Sequence, residues 1–262
     1  MLLAINANNT NVKFAVYDGE KPVGAQWMGD WRIKTEVGRT ADQYVVWLNQ
    51  LMMMAGLNLK QIDAAIIASV VPHSLFDLTK LCEHHLKTKP LIVGDPAVKL
   101  GIQVKMDIPS ATVGGDRLAN AIGGHIAYKK PLIVVDFGTA TTFDVADGAG
   151  NYLGGAISPG INLSVEILHS ATAMLPRIAV ERPNRVIGKS TTEAMQSGIF
   201  WGYVGLVEGM VERITREFGS ELVVVATGGL APLFVGATPV VHHLDPEITM
   251  RGLVEIYRRN RT

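Results

Sequence analysis

The sequence predicts an α/β protein made of two halves that begin alike, and three observations predict it. Strand-like runs alternate with helical periods along the 262 residues. The stretch LIVVDFGTATTFDV at 132–145 repeats, without a gap, the pattern of LLAINANNTNVKFA at 2–15. Both copies run from an apolar strand through an acid or amide and a Gly or Asn into a Thr/Asn-rich turn and a second strand. Alternation of this kind layers helices on sheets. A repeat in a chain of this length favours two domains. The short turns make each half open with an antiparallel hairpin, so the sheets are mixed.

The elements follow in order. Runs rich in Val, Ile and Ala, bounded by Gly, Asp or Asn, predict strands at 2–6, 11–18, 64–70, 90–93, 132–136, 141–146 and 222–226. Apolar residues at helical spacing predict helices at about 40–55, 72–86, 116–129, 161–173, 191–218 and 246–259. No low-complexity linker divides the halves, and the expected domains are 1–118 and 119–262. The stretch 191–218 carries Phe200, Trp201, Tyr203, Val204, Leu206 and Val207 around a wide face, which needs more than one covering surface. A core helix accounts for it, and so does a helix shared between the core and a dimer interface.

Composition narrows the function. Lysine plus arginine balance aspartate plus glutamate at 24 each, so no net field draws in nucleic acid or an anionic membrane. Arg258, Arg259 and Arg261 read as a helix end that complements the dipole. The single cysteine, Cys82, makes neither an internal disulfide nor a thiolate metal cluster. Apolar runs such as AAIIASVV at 64–71 are far short of a bilayer span, and no basic leader opens the chain. The expected address is the cytoplasm.

The repeated hairpin is suited to polyphosphate. Backbone N–H groups of a tight turn point at phosphate oxygens, while a carboxylate at the strand end, Asp136 in the second copy, manages a metal. A later strand ends in Thr227-Gly228-Gly229, where the lack of side chains lets a flat adenosine approach the backbone. A further cluster reads VGGDRLANAI. There Gly114 and Gly115 precede Asp116 and Arg117 at the start of a helix, placing a proton acceptor beside a bidentate carboxylate grip. Spacing alone favours Asp116 as a helix N-cap and Arg117 as a surface residue.

The motifs NNTNVKFAVYDG, ASVVP, VGGDRLANAI, VVDFGTATTFDV, GGAISPGI, TAMLP, GKST and ATGGL occur in the order found in type III pantothenate kinases, and the chain resembles that family over essentially its whole length. The resemblance implies two actin-like (ribonuclease H-like) domains arisen by tandem duplication. It also implies ATP-dependent phosphorylation of pantothenate to 4′-phosphopantothenate on the way to coenzyme A. A homodimer, a divalent metal (Mg2+) with ATP, and a monovalent cation (K+ or NH4+) are implied as well. Carried over by motif, Asp116 is the general base. Gly114, Gly115, Asp116, Arg117 and Thr191 contact pantothenate, and Asp136 binds the monovalent cation. Asn6, Ala7, Asn8, Asn9, Thr10, Asn11, Val12 and Lys13, with Gly138, Thr139, Gly228 and Gly229, face ATP. Thr191 also reads as the N-cap of the long helix.

The chain departs from the family pattern where Asp-x-Gly-Asn-Thr becomes Asn6-Ala7-Asn8-Asn9-Thr10. An amide at 6 keeps an oxygen but removes a negative charge from the metal site. Asn8 tolerates the left-handed backbone that Gly favours, yet its side chain occupies phosphate space. Gly115 stands for the usual Ala, and Met106 lies near a position where some members place a substrate-facing Tyr. Three readings follow: a working kinase, a catalytically weakened relative that binds pantothenate or nucleotide in a regulatory role, and a superfamily member acting on another small hydroxylated acid.

Overall fold

The computed structural model describes residues 1–21, 26–109, 112–172 and 174–261. Ala173, at the end of one expected helix and inside the TAMLP motif, lies outside the described residues. Contacts divide the chain into two compact units, Met1–Gly123 with Ile248–Thr262, and Gly124–Glu247.

The first unit holds the strands β1 (Leu2–Ala7), β2 (Asn11–Tyr17), β3 (Trp27–Lys34), β4 (Ala64–Ser69) and β5 (Leu91–Ile92) in one sheet, in the order β3-β2-β1-β4-β5. The β1–β2 and β2–β3 pairs are antiparallel, and β1–β4 and β4–β5 are parallel. Leu3, Ile5, Val12, Phe14 and Val16 alternate onto one face, where Tyr44, Leu48 and Met52 of α1 (Ala41–Met54) and Leu78 of α2 (Pro72–Lys80) complete a core. Thr40 and Gln43 close a reciprocal capping box that starts α1. A π-turn at Leu81–His85 prolongs α2.

The helices α3 (Gly115–Tyr128) and α7 (Ile248–Asn260) meet through glycine. A Cβ on Gly123 would collide with the Ile248 carbonyl, and one on Gly252 with the Ala119 carbonyl. Because α7 packs on β1 and β4, the C-terminal segment belongs with the first unit, which corrects the expected domain of 119–262. A cut at one point in the sequence assumes that neighbours in the chain are neighbours in space, and α7 returns across the whole second unit.

The second unit repeats the topology with β6 (Leu132–Phe137), β7 (Ala140–Ala146), β8 (Tyr152–Pro159), β9 (Val223–Thr227) and β10 (His243–Leu244), ordered β10-β9-β6-β7-β8. Ile133, Val135, Phe143 and Val145 face α5 (Thr191–Phe218), which buries Phe200, Tyr203, Val204, Val207 and Val211 against them. Helix α4 (Ile161–Ser170) lies beside α5, and the single turn α6 (Ala231–Phe234) stacks Phe234 on Phe137 and Phe200. Ser190 caps the start of α5 and Gly219, at φ 82°, ends it in a left-handed cap.

The two hairpins are not gapless copies. Asn6 pairs with Lys13 and Ala7 with Val12 in the first, whereas Asp136 pairs with Thr142 and Phe137 with Thr141 in the second. The second turn is one residue shorter. Phe14 therefore corresponds to Phe143, Lys13 to Thr142, and Ala15 to Asp144. A gapless alignment would send the whole of one strand's core set to the wrong face.

Candidate active site

In the first turn Asn6 stands at the end of β1 and is only 7% exposed, and its Oδ1 has no hydrogen-bond partner. Asn8 donates its backbone N–H to the Asn11 carbonyl at 3.0 Å, and its own carbonyl accepts from Thr35 Oγ1 at 2.6 Å. Its Oδ1 is likewise buried without a partner. Two orphaned acceptors in one turn cost on the order of 1–3 kcal/mol each, and they fit a cation or the waters around one. The backbone at Asn8 is not left-handed, since Lys87 and Lys129 are the positive-φ non-glycine positions. The tolerance for that conformation expected of asparagine is not called upon. Ala7 and Val12 are fully buried, so within 6–13 these two offer only backbone to a ligand, while Asn9, Thr10 and Asn11 form the exposed tip. Lys13 lies directly across from Asn6, with Nζ 3.5 Å from Asp30 Oδ2.

Asp116 is brought to the same edge of this sheet by the start of α3. Asn6 pairs with Ala68 of β4, and a Cβ on Gly115 would sit 3.3 Å from Ala68 Cβ and 3.2 Å from Val93 Cβ. Glycine at 115 thus lets the helix start press onto the strand ends more closely than alanine would. A Cβ on Gly114 would stand 2.7 Å from Asp116 Oδ1, so the first glycine leaves space for the carboxylate itself. Asp116 is the second helical residue, not the N-cap; its Oδ1 accepts the Arg117 backbone N–H at 2.8 Å. Burial pushes its carboxyl above the ordinary 3.8, and the backbone bond from Arg117 and the Arg117 charge counter part of that rise. A partly desolvated carboxylate beside a guanidinium is the arrangement a general base requires.

In the second unit the carboxylate of Asp136 lies among glycines. A Cβ on Gly228 would be 2.5 Å from Asp136 Oδ1, and Gly228 has φ +92°; a Cβ on Gly138 would stand 3.6 Å away. Gly229, by contrast, has open space around it, as an approaching flat group needs. Gly160, from the GGAISPGI stretch, gives the Gly138-Thr139 turn its seat: a Cβ there would collide with the Thr139 carbonyl. Thr191 is the first helical residue of α5 and is exposed; the cap is Ser190, whose Oγ accepts the Glu193 N–H at 3.2 Å. The side chain of Thr191 is therefore not consumed by capping.

A family model for type III pantothenate kinase matches residues 2–213. Relatives named type III pantothenate kinase are 60% identical in Paramagnetospirillum magneticum, over 100% of this chain and 98% of theirs, and 55% identical in Rhodospirillum rubrum, over 99% of each. This chain belongs to the type III pantothenate kinase family. Its fold is the two-unit actin-like one. A Campylobacter jejuni structure assigned to the Baf family is similar at TM-score 0.60, with 17% identity over 98% of each chain. Component A of (R)-2-hydroxyglutaryl-CoA dehydratase from Acidaminococcus fermentans is similar at 0.53, with 13% identity over 98% of this chain and 96% of that one.

As a member of the type III pantothenate kinase family, the chain shows features that sequence reading passed over. The Lys13–Asp30 pair was invisible because Asp30 lies on β3, an edge strand without a continuous apolar run. Strand β8 was also missed, since Gly154, Gly155 and Pro159 read as turn residues. Among the described residues no three His, Cys, Asp or Glu side chains converge as a metal cage.

Proposed function

We propose that this chain transfers the γ-phosphoryl group of ATP to the primary hydroxyl of pantothenate, forming 4′-phosphopantothenate at the start of coenzyme A synthesis. The observation that carries the proposal is membership of the type III pantothenate kinase family along the full chain. Asp116 takes the hydroxyl proton, its raised pKa making the carboxylate a stronger acceptor than an exposed one. Arg117 grips the substrate carboxylate, with the backbone of Gly114 and Gly115 alongside and Thr191 closing the pantothenate site. Residues 6–13 in the first unit, and Gly138, Thr139, Gly228 and Gly229 in the second, contact ATP. A divalent metal bound with ATP neutralises charge on the transferring phosphoryl group, and the unpartnered oxygens of Asn6 and Asn8 fit its hydration shell. A monovalent cation, K+ or NH4+, is held at Asp136.

The enzyme acts in the cytoplasm as a homodimer. The wide face of α5 is largely spent on its own core, with Trp201 and Leu206 packed at its margin. Exposed apolar side chains of the second unit include Ile157, Leu163, Ile167, Met174, Val186 and Ile187, and these are the positions assigned to a partner copy.

A second reading, a weakened member with a binding role, is favoured by the missing carboxylate at Asn6. Phosphopantothenate formation with Mg2+ and K+ decides between them when this chain is compared with Asn6→Asp and with Asn6→Asp plus Asn8→Gly. Turnover within about tenfold of the double variant establishes a working kinase. Turnover confined to the variants establishes the weakened relative, and turnover by none overturns the substrate assignment in favour of another hydroxylated acid.

A further inference from the structure

The second sheet carries a polar row beside Asp136 that none of the roles above uses. Thr142 lies directly across from Asp136 in the antiparallel β6–β7 pair, and Asp144 lies two residues further along β7. All three side chains therefore leave the same face of the sheet. Asp136 and Thr142 are partly open, whereas Asp144 is fully buried. Thr142 Oγ1 donates to Asp144 Oδ2 at 3.0 Å, and the buried Tyr152 hydroxyl donates to Asp144 Oδ1 at 3.0 Å. A carboxylate is kept inside a sheet when such donors hold its charged form. The hydroxyl of Thr142 has one proton, and that proton is committed to Asp144, so the lone pairs are what Thr142 has left to offer on the Asp136 side.

The first unit makes the contrast. There the position of Thr142 is taken by Lys13 and that of Asp144 by Ala15, so an ammonium faces an amide where the second unit sets a hydroxyl and a second carboxylate around a first. One arrangement suits an anion and the other a cation.

We propose that Thr142 and Asp144 complete the monovalent-cation site at Asp136, Thr142 Oγ1 as a neutral oxygen ligand and Asp144 as a positioning residue that fixes this hydroxyl and adds a second negative charge. The proposal rests on the assignment of that cation to Asp136. Diagonal neighbours across a strand pair lie about 7–8 Å apart, close enough for the two carboxylates to repel and for a cation to relieve the repulsion. Removing the Asp144 charge should weaken cation binding on the order of tenfold.

The test compares the thermal stabilisation of the substrate-free protein by KCl with that by choline chloride at equal ionic strength. It is run on wild type, Asp136→Asn, Thr142→Val, Thr142→Ser and Asp144→Asn, beside the K+ dependence of turnover. The expected result is a K+ stabilisation that Asp136→Asn abolishes and Thr142→Ser retains. Thr142→Val and Asp144→Asn should need about tenfold more K+ in both readouts, with KM for pantothenate unchanged. The proposal is overturned if those two variants melt lower in every salt yet keep the wild-type K+ response, because their role is then packing alone. A wild type indifferent to K+, or an Asp136→Asn variant that still responds, overturns the assignment to Asp136 and the proposal with it. If Asp144→Asn does not fold, Thr142→Val against Thr142→Ser decides.

Discussion

At the residue scale, the proposed role of Asp116 as general base stands against its contribution to stability. Its folded pKa lies above its ordinary value, so its favourable contribution to folding is fully present below about 3.9 and is lost as pH rises through the folded pKa. At neutral pH the ionised carboxylate therefore costs stability. Asp116→Asn is expected to melt no lower than wild type at pH 7 while its kcat falls by about 10²–10⁴, as calorimetry and a phosphopantothenate assay will check. The acid limb of the wild-type pH–rate profile should lie above the ordinary aspartate range, because burial is the first cause of the shift. Asn6→Asp returns a charge near the unpartnered oxygen of Asn8, and the Mg2+ concentration for half-maximal turnover should fall, on the order of tenfold or more. A Mg2+ requirement unchanged by this substitution would show that the first turn does not manage the metal.

At the element scale, glycines govern how closely chain segments approach. Gly123 and Gly252 let α3 and α7 touch backbone to backbone, and Gly252→Ala is expected to lower stability by roughly 1–3 kcal/mol in denaturant titration. Gly229→Ala, with open space around it, should leave stability nearly unchanged, and equal losses at both positions would contradict the packing described. Most long elements were legible in the sequence, because periods of 2 and 3.6 and their turn punctuation are local. Strand β3, an edge strand with no fully buried residue and with Gly29, Asp30 and Arg32 among its apolar positions, and the two-residue β10 left no such signal.

For the whole molecule, the return of α7 makes the last residues part of the first unit. A chain ending at Glu247 should lose the first unit's cooperative melting, although the cut lies far along the sequence from β1 and β4. Retention of wild-type stability by that truncation would mean α7 is an appendage. The exposed apolar positions of the second unit carry a separate expectation. If the proposed homodimer forms through them, Ile187→Glu with Met174→Glu should shift the light-scattering mass from dimer to monomer; a dimer mass unchanged by the substitutions would move the interface elsewhere, and a monomeric wild type would overturn the dimer itself.

By itself the sequence determined the α/β class, the order of the principal elements, the duplication and the cluster around Asp116, since each is written in patterns spanning a few to some twenty residues. Tertiary structure alone decided the one-residue difference between the hairpins, which puts Lys13 opposite Asn6 but Thr142 opposite Asp136. It alone decided the burial of Asp144 and the return of α7 to the first sheet. The reason is physical: register and burial are set by hydrogen bonds and packing between segments distant in the chain, and no local pattern records which residue a strand will face.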